Sequence, residues 1–382
     1  MTSRQSLRAA FYRGGTSKAV MFNAADLPAE KELRDKIFLH IMGSPDAYGR
    51  QLNGLGGGIS SLSKVVILEP SKRDDADVDY TFVQIAVDEP VADYGQMCGN
   101  MSSAVGPFAL EEGMVSANGE SATVRIYNTN TEKILHATFP VKDGLPVEDG
   151  DFEIPGVSQT GAKVTLDFFD PGGTATGKLL PTGRAEDVLA VNDVGRFRAS
   201  MVDASNPTVF IAAPDAEVSG YENPAELDAS PGLAARMDKI RRAAAVAMGM
   251  VDRPEDALLS TPKVALVAPP GQFTALDGRS YRPEDHHLSV RFVSMEKFHR
   301  AVTLTGAMCV AVAARIPGTL INGLISTRND ILIGNPSGVI PVRAVVEQAP
   351  HGIKAVSATT FRTQRRIMEG RLPYPEPTEK EL

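Results

Sequence analysis

The sequence predicts an α+β protein of two similar halves, each a set of strands around one apolar helix. Three observations predict it. The chain has 382 residues, room for two domains with a sizeable core each. Most periodic segments are short apolar runs bounded by Gly or Pro, the pattern of strands. Two helical patterns then echo each other. Met101, Ala104, Val105, Phe108 and Ala109 repeat at i, i+3, i+4, i+7, i+8 after Gly99-Asn100, and Ala307, Val310, Ala311 and Ala314 follow Thr305-Gly306. A pseudo-twofold chain with its active site in the cleft between the halves is the expectation.

The first half opens with a strand at 7–12, the turn Arg13-Gly14-Gly15-Thr16-Ser17-Lys18 and a second strand at 19–22. A helix at 30–42 has Leu33, Ile37 and Ile41 on one face and Gly43 as its stop. The glycine loop Gly54-Leu55-Gly56-Gly57-Gly58 and the run Ser60-Ser61-Leu62-Ser63-Lys64 lead into a strand at 65–68, and another follows at 81–87. The helix after Cys98 stops at Gly113, and strands fit 122–128, 133–139 and 164–169. Residues 170–183 read as loop, with the domain boundary at their end: an N-terminal domain over 1–184 and a C-terminal domain over 185–382, the extreme C-terminal tail packing on the first. In the second half strands fit 197–202 and 208–212. A long helix follows, with Ser230 as N-cap, Pro231 at its first position and Gly249 after its end. Later strands fit 263–267, 288–292, 320–325, 331–333, 340–346 and 353–359.

Composition narrows the function. A formal net charge of −8 and a pI near 5.4 argue against a nucleic-acid surface. Two cysteines make a disulfide scaffold a poor reading and suit a reducing compartment. Residues 1–10 lack the apolar core of a signal peptide, and no apolar run approaches a membrane span. A cytoplasmic protein is expected. Nucleotide and metal motifs fail. Gly177-Lys178 lacks Walker spacing, Gly54-Leu55-Gly56 is followed by Ile59 where a dinucleotide loop needs Gly or Ala, and His286-His287 has no third ligand at metal spacing. No Gly-x-Ser-x-Gly elbow occurs.

What remains points to acid–base chemistry. Cys98 lies at a helix N-terminus, where free amides and the dipole favour an anion and lower a thiol's pKa. Lys64 follows neutral Ser and Gly residues and precedes a strand. Desolvation there pulls an amine towards a general-base range. The polar loops at 13–18, 54–63 and 172–183, with Arg13, Lys18 and Lys178 beside them, suit a small polyanion in an acidic protein.

Arg13-Gly14-Gly15-Thr16-Ser17-Lys18, Ser61-Leu62-Ser63-Lys64, Cys98-Gly99-Asn100 and Lys178-Leu179-Leu180-Pro181-Thr182-Gly183, in this order, resemble the PrpF family. Ser294-Met295-Glu296-Lys297-Phe298-His299 and Asn335-Pro336-Ser337-Gly338 continue the match. That family includes 2-methylaconitate isomerase, methylitaconate Δ-isomerase and 4-oxalomesaconate tautomerase. The resemblance implies a diaminopimelate-epimerase-like fold, two strand barrels each around a central helix. It also implies a cofactor-independent isomerase acting on an unsaturated di- or tricarboxylate, with Lys64 and Cys98 catalytic. Substrate contacts are expected from Arg13, Thr16, Ser17, Lys18, Ser61, Ser63, Gly99, Asn100, Met101, Lys178, Thr182, Ser294, Met295, Thr305 and Gly306. No metal or cofactor is expected, and the partners are a small polycarboxylate and, at most, a second copy of the chain. The segment 44–51 resembles the longer loop of the aconitate-type members. The epimerase's second catalytic cysteine has no match beside Thr305-Gly306, since Cys309 falls about a turn inside the helix. Alternative readings are an amino-acid epimerase on the same fold and a non-catalytic accessory protein to an iron–sulfur dehydratase.

Overall fold

The computed structural model describes residues 4–294, 297–325, 329–350 and 352–375, without the Arg4 and Ser294 side chains. It divides into two compact units, one running to Asp167 and resuming at Phe361, the other Phe168–Thr360. The division falls earlier than the expected boundary after 184. The reason is Asp203, whose buried carboxylate accepts from Thr174 Oγ1 (2.6 Å), Ala175 N (2.9 Å), Thr176 N (2.7 Å) and Thr176 Oγ1 (2.9 Å). These bonds anchor the loop after 170 to the second unit.

In the first unit Arg4–Gly14 and Ser17–Asn23 form an antiparallel hairpin with Gly14 opposite Ser17. Its two-residue turn puts Gly15 at φ +51°, a conformation that costs a side-chain-bearing residue about 1–2 kcal/mol. Ser17–Asn23 pairs in parallel with Lys64–Pro70, which pairs antiparallel with Val78–Ile85. That strand runs parallel to Ser121–Asn128, and Lys133–Lys142 closes the series antiparallel. The C-terminal strand Gln364–Pro375 lies antiparallel along Arg4–Gly14. Helix α1 (Lys31–Met42) joins the second strand to the third. It inserts Ile37, Phe38, Ile41 and Met42 among Val20, Phe22, Val65 and Ile67. Helix α2 (Ser102–Glu111) follows the fourth and is buried from Ser102 to Leu110, because strands pack around it.

The second unit repeats this order. The hairpin Gly195–Ala204/Asn206–Ala212 pairs in parallel with Lys263–Ala268, then antiparallel with Leu288–Ser294, parallel with Ile331–Asn335 and antiparallel with Gly338–Ala349. After the short helix α3 (Pro224–Ala229), helix α4 (Leu233–Ala247) stands where α1 does. Helix α5 (Leu304–Ala313), buried from Gly306 onward, stands where α2 does.

Two expectations need correction. Ser230 is the C-cap of α3, not the N-cap of the long helix. Asn223 and Glu226 form a capping box at the start of α3, with Pro224 in its first turn, and α4 starts after Gly232. The run at 320–325 is a 3-10 turn over Asn322–Leu324. Thr319 Oγ1 accepts from Asn322 N and Asn322 Nδ2 donates to the Ala314 carbonyl, so the segment is tied back to the end of α5.

Candidate active site

Lys64 opens its strand directly opposite Gln84. Its side chain is buried, 7% exposed. Nζ donates to Gln84 Oε1 at 2.6 Å and lies 4.9 Å from the centre of the Phe82 ring. Burial lowers the Lys64 pKa, with the Cys98 charge pulling the other way. The loop before it is braced by Gln51, whose Nε2 donates to Ser44 Oγ and Ser63 Oγ (both 2.7 Å) and whose Oε1 accepts from Gly58 N (3.0 Å).

Cys98 is half-buried. Its carbonyl accepts from Ser102 N, Ser102 Oγ and the Tyr80 hydroxyl, each at 3.1 Å, so the chain turns into α2 at the cysteine. The amides of Gly99, Asn100 and Met101 have no acceptor among the described residues. Burial raises the Tyr80 pKa well above the usual tyrosine range, with the Cys98 charge adding to it. Sequence reading missed the cation of this cluster, Arg362. Burial lowers its pKa to about 10, opposed by Cys98. Its Nε donates to Asn100 Oδ1 (3.1 Å) and Nη1 to the Phe361 carbonyl (2.8 Å). No carboxylate among the described residues pairs with it. No motif announces Arg362, since it ends a strand far along the chain.

The Gly14-Gly15 turn fits against Asn100. A Cβ at Gly15 would stand 2.4 Å from Asn100 Oδ1, and one at Gly14 would stand 2.7 Å from the Asn100 carbonyl oxygen. Asn100 Nδ2 donates to Thr16 Oγ1 (3.1 Å). Arg13 turns inward: Nη1 donates to the carbonyls of Gly15 and Thr363 (both 3.0 Å) and to Thr363 Oγ1 (2.9 Å). It holds the turn rather than presenting a free guanidinium. Lys18 lies over the Phe11 ring, Ser17 and Ser63 are buried, and Ser61 is half-buried. The Met101 side chain is fully buried against Gly14, so only its backbone is placed to meet a ligand.

The remaining candidates belong to the second unit. Lys178 is exposed on the loop anchored by Asp203, and Thr182 Oγ1 donates to Asp187 (2.6 Å). Thr305 is half-buried in the first turn of α5. The Gly306 amide donates to the N-cap Thr303 Oγ1 (3.2 Å). Ser294 ends its strand, and Met295 lies outside the described residues. Cys309 is fully buried on α5, its pKa pushed up to about 12 by burial.

With this geometry in hand, likeness to known proteins can be read. The chain has the diaminopimelate-epimerase-like fold. It superposes on a crystal structure of methylitaconate Δ-isomerase with a TM-score of 0.91 and 38% identity, covering 97% of this chain and 96% of that one. It is 40% identical to 3-methylitaconate isomerase of Eubacterium barkeri over 377 residues, 97% of each chain. It is 38% identical to 2-methyl-aconitate isomerase of Shewanella oneidensis over 385 aligned positions, again 97% of each. The PrpF protein family model matches residues 5–375, and the chain belongs to that family.

Proposed function

We propose that this chain is an isomerase that moves the C=C bond of an unsaturated di- or tricarboxylate by proton transfer between carbon atoms, without a cofactor. The observation that carries the reading is what gathers at Cys98: its charge acts on a buried lysine with a neutral acceptor and on an arginine that has no carboxylate partner among the described residues, and the three amides after it have no acceptor there either. Moving the double bond requires breaking an allylic C–H bond, holding the dienolate and making a C–H bond elsewhere. Neutral Lys64 accepts the first proton and becomes an ammonium. The electron pair spreads into the conjugated carboxylate, whose growing charge faces Arg362 and the amides at the start of α2. The Cys98 thiol then gives its proton to the far carbon, and the thiolate is reset by the proton held on Lys64. Arg13 supports this site by fixing the Gly14-Gly15 turn.

The relatives named for methylitaconate and 2-methyl-aconitate support a branched unsaturated acid as substrate, and two free thiols suit a cytoplasmic setting. Among the described residues no helix is long and apolar enough to cross a membrane. The test is a panel of methylitaconate, 2-methylaconitate, trans-aconitate and 4-oxalomesaconate incubated with the purified chain in D₂O and followed by ¹H NMR. Turnover of one acid with deuterium entering at the carbon that gains hydrogen supports the reading. No turnover of any of them removes it. Inversion of amino acids instead would restore the epimerase alternative.

A further inference from the structure

We propose that Gln84 is the positioning residue that fixes the Lys64 amine and leaves it without a countercharge, so that the amine can work as a neutral base. This rests on the reading of Lys64 as the proton acceptor.

Three features carry it. First, the pairing is built into the sheet: Lys64 and Gln84 are direct cross-strand partners, and Oε1 accepts from Nζ at 2.6 Å. Second, the amide can face only one way. Its Nε2 donates to the Ser63 carbonyl (2.8 Å) and the Ser60 carbonyl (3.0 Å). A flipped amide would set an oxygen against two carbonyl oxygens and an NH₂ against the amine. The acceptor is therefore held towards Lys64 by the turn that precedes the lysine. Third, Gln is neutral where a carboxylate of the same length would fit. An amine that donates one hydrogen to Oε1, with the Phe82 ring nearby, has its lone pair directed away from that acceptor, towards an incoming C–H.

The groups around Lys64 agree with this. Its own strand partner Val78–Ile85 carries Asp79, which lies opposite Glu69 at the far end of the pairing, and Tyr80, whose hydroxyl goes to the Cys98 carbonyl. The parallel neighbour Ser17–Asn23 carries Lys18, whose ammonium sits over Phe11. Ser63 and Gln51 before it are neutral. Asp93, opposite Gln84 on the next strand, accepts from the Gly95 amide (2.7 Å). Among the described residues the charge of Cys98 favours the ammonium form, and burial outweighs it.

The experiment compares wild type, Gln84→Glu, Gln84→Met and Lys64→Met. Lys64 protonation is read by competitive acetylation against pH, and rates are taken with whichever of methylitaconate and 2-methylaconitate the wild type turns over. A carboxylate at this distance should raise the Lys64 pKa by about 1–3 units. The acid limb of kcat/KM in Gln84→Glu should move up by the same amount, with activity recovering at high pH. Gln84→Met keeps the length and loses the acceptor. Its kcat should fall about tenfold or more, with KM changed far less and the limb not raised. An unmoved acetylation profile in Gln84→Glu, or a wild-type kcat in Gln84→Met, overturns the proposal. Should Gln84→Glu fail to fold, the Met variant decides alone. An active Lys64→Met would instead remove the base assignment itself, a separate failure.

Discussion

Lys64 is a residue kept against stability. A lysine whose folded pKa is lowered binds its proton more weakly in the native chain than in the unfolded one, so it destabilises the fold as pH falls from the unfolded value near 10.4. The penalty is complete below the folded pKa. Lys64→Met should therefore abolish turnover and raise the thermal midpoint at neutral pH, and the gain should vanish above about pH 10.5. Calorimetry across pH checks this, and a variant less stable than wild type at neutral pH contradicts it. The two thiols differ just as sharply. Cys98→Ser should fold and lose about a hundredfold or more in rate, the lower scale of positioned acid–base catalysis. Cys309→Ala should keep its rate and lose about 1 kcal/mol of stability. Iodoacetamide on the native chain should label Cys98 alone, which intact mass reads directly, because a fully buried thiol near pKa 12 supplies almost no thiolate. Both proposed catalytic residues stood out in the sequence, since each sits at an element end beside Gly and Ser. Arg362 and Gln84 were not. What makes them matter is a contact across strands, and no local pattern encodes it.

At the scale of elements, the turn Gly14-Gly15 and the start of α2 act as one piece. A methyl at Gly15 must displace Asn100 Oδ1, the atom that accepts from Arg362. Gly15→Ala should cost about 1–2 kcal/mol for its φ of +51° alone. It should weaken substrate binding more than a Gly→Ala change at Gly144, where nothing lies within 4 Å of the new methyl. Equal KM values for the two variants would show that Asn100 and Arg362 are not coupled through this turn. The hairpin and the buried face of α2 follow from glycine placement and 3.6-residue periodicity, so sequence reading reached them. The C-terminal strand Gln364–Pro375 escaped it. Its Arg and Glu residues, with Gly370 and Pro373, mask a strand whose pairing with Arg4–Gly14 is fixed by the backbone ladder and by long-range bonds such as Arg371 to Ser6 and Tyr374 to Gln5. The Ser230 cap failed for a related reason, because Asn223-Pro224 with Glu226 offered a better start a few residues earlier.

Over the whole molecule, the two units share one order: hairpin, outer helix, parallel strand, antiparallel strand, buried helix, parallel strand, antiparallel strand. The echo between the helices after Gly99-Asn100 and Thr305-Gly306 was the visible trace of that repeat. Function has broken the likeness. Lys64 and Lys263 open equivalent strands and burial lowers both, yet Cys98 has no counterpart thiol before α5. On the proposed reading one unit carries both the base and the acid, an arrangement that differs from a two-thiol epimerase. The most direct measurement of this claim is hydrogen exchange in D₂O, with methylitaconate and 2-methylaconitate offered to wild type, Lys64→Met and Cys98→Ser. The account predicts that wild type exchanges the allylic hydrogen and moves the double bond, that Lys64→Met does neither, and that Cys98→Ser still exchanges the allylic hydrogen while isomerising far more slowly. Exchange by Lys64→Met at the wild-type rate would contradict it.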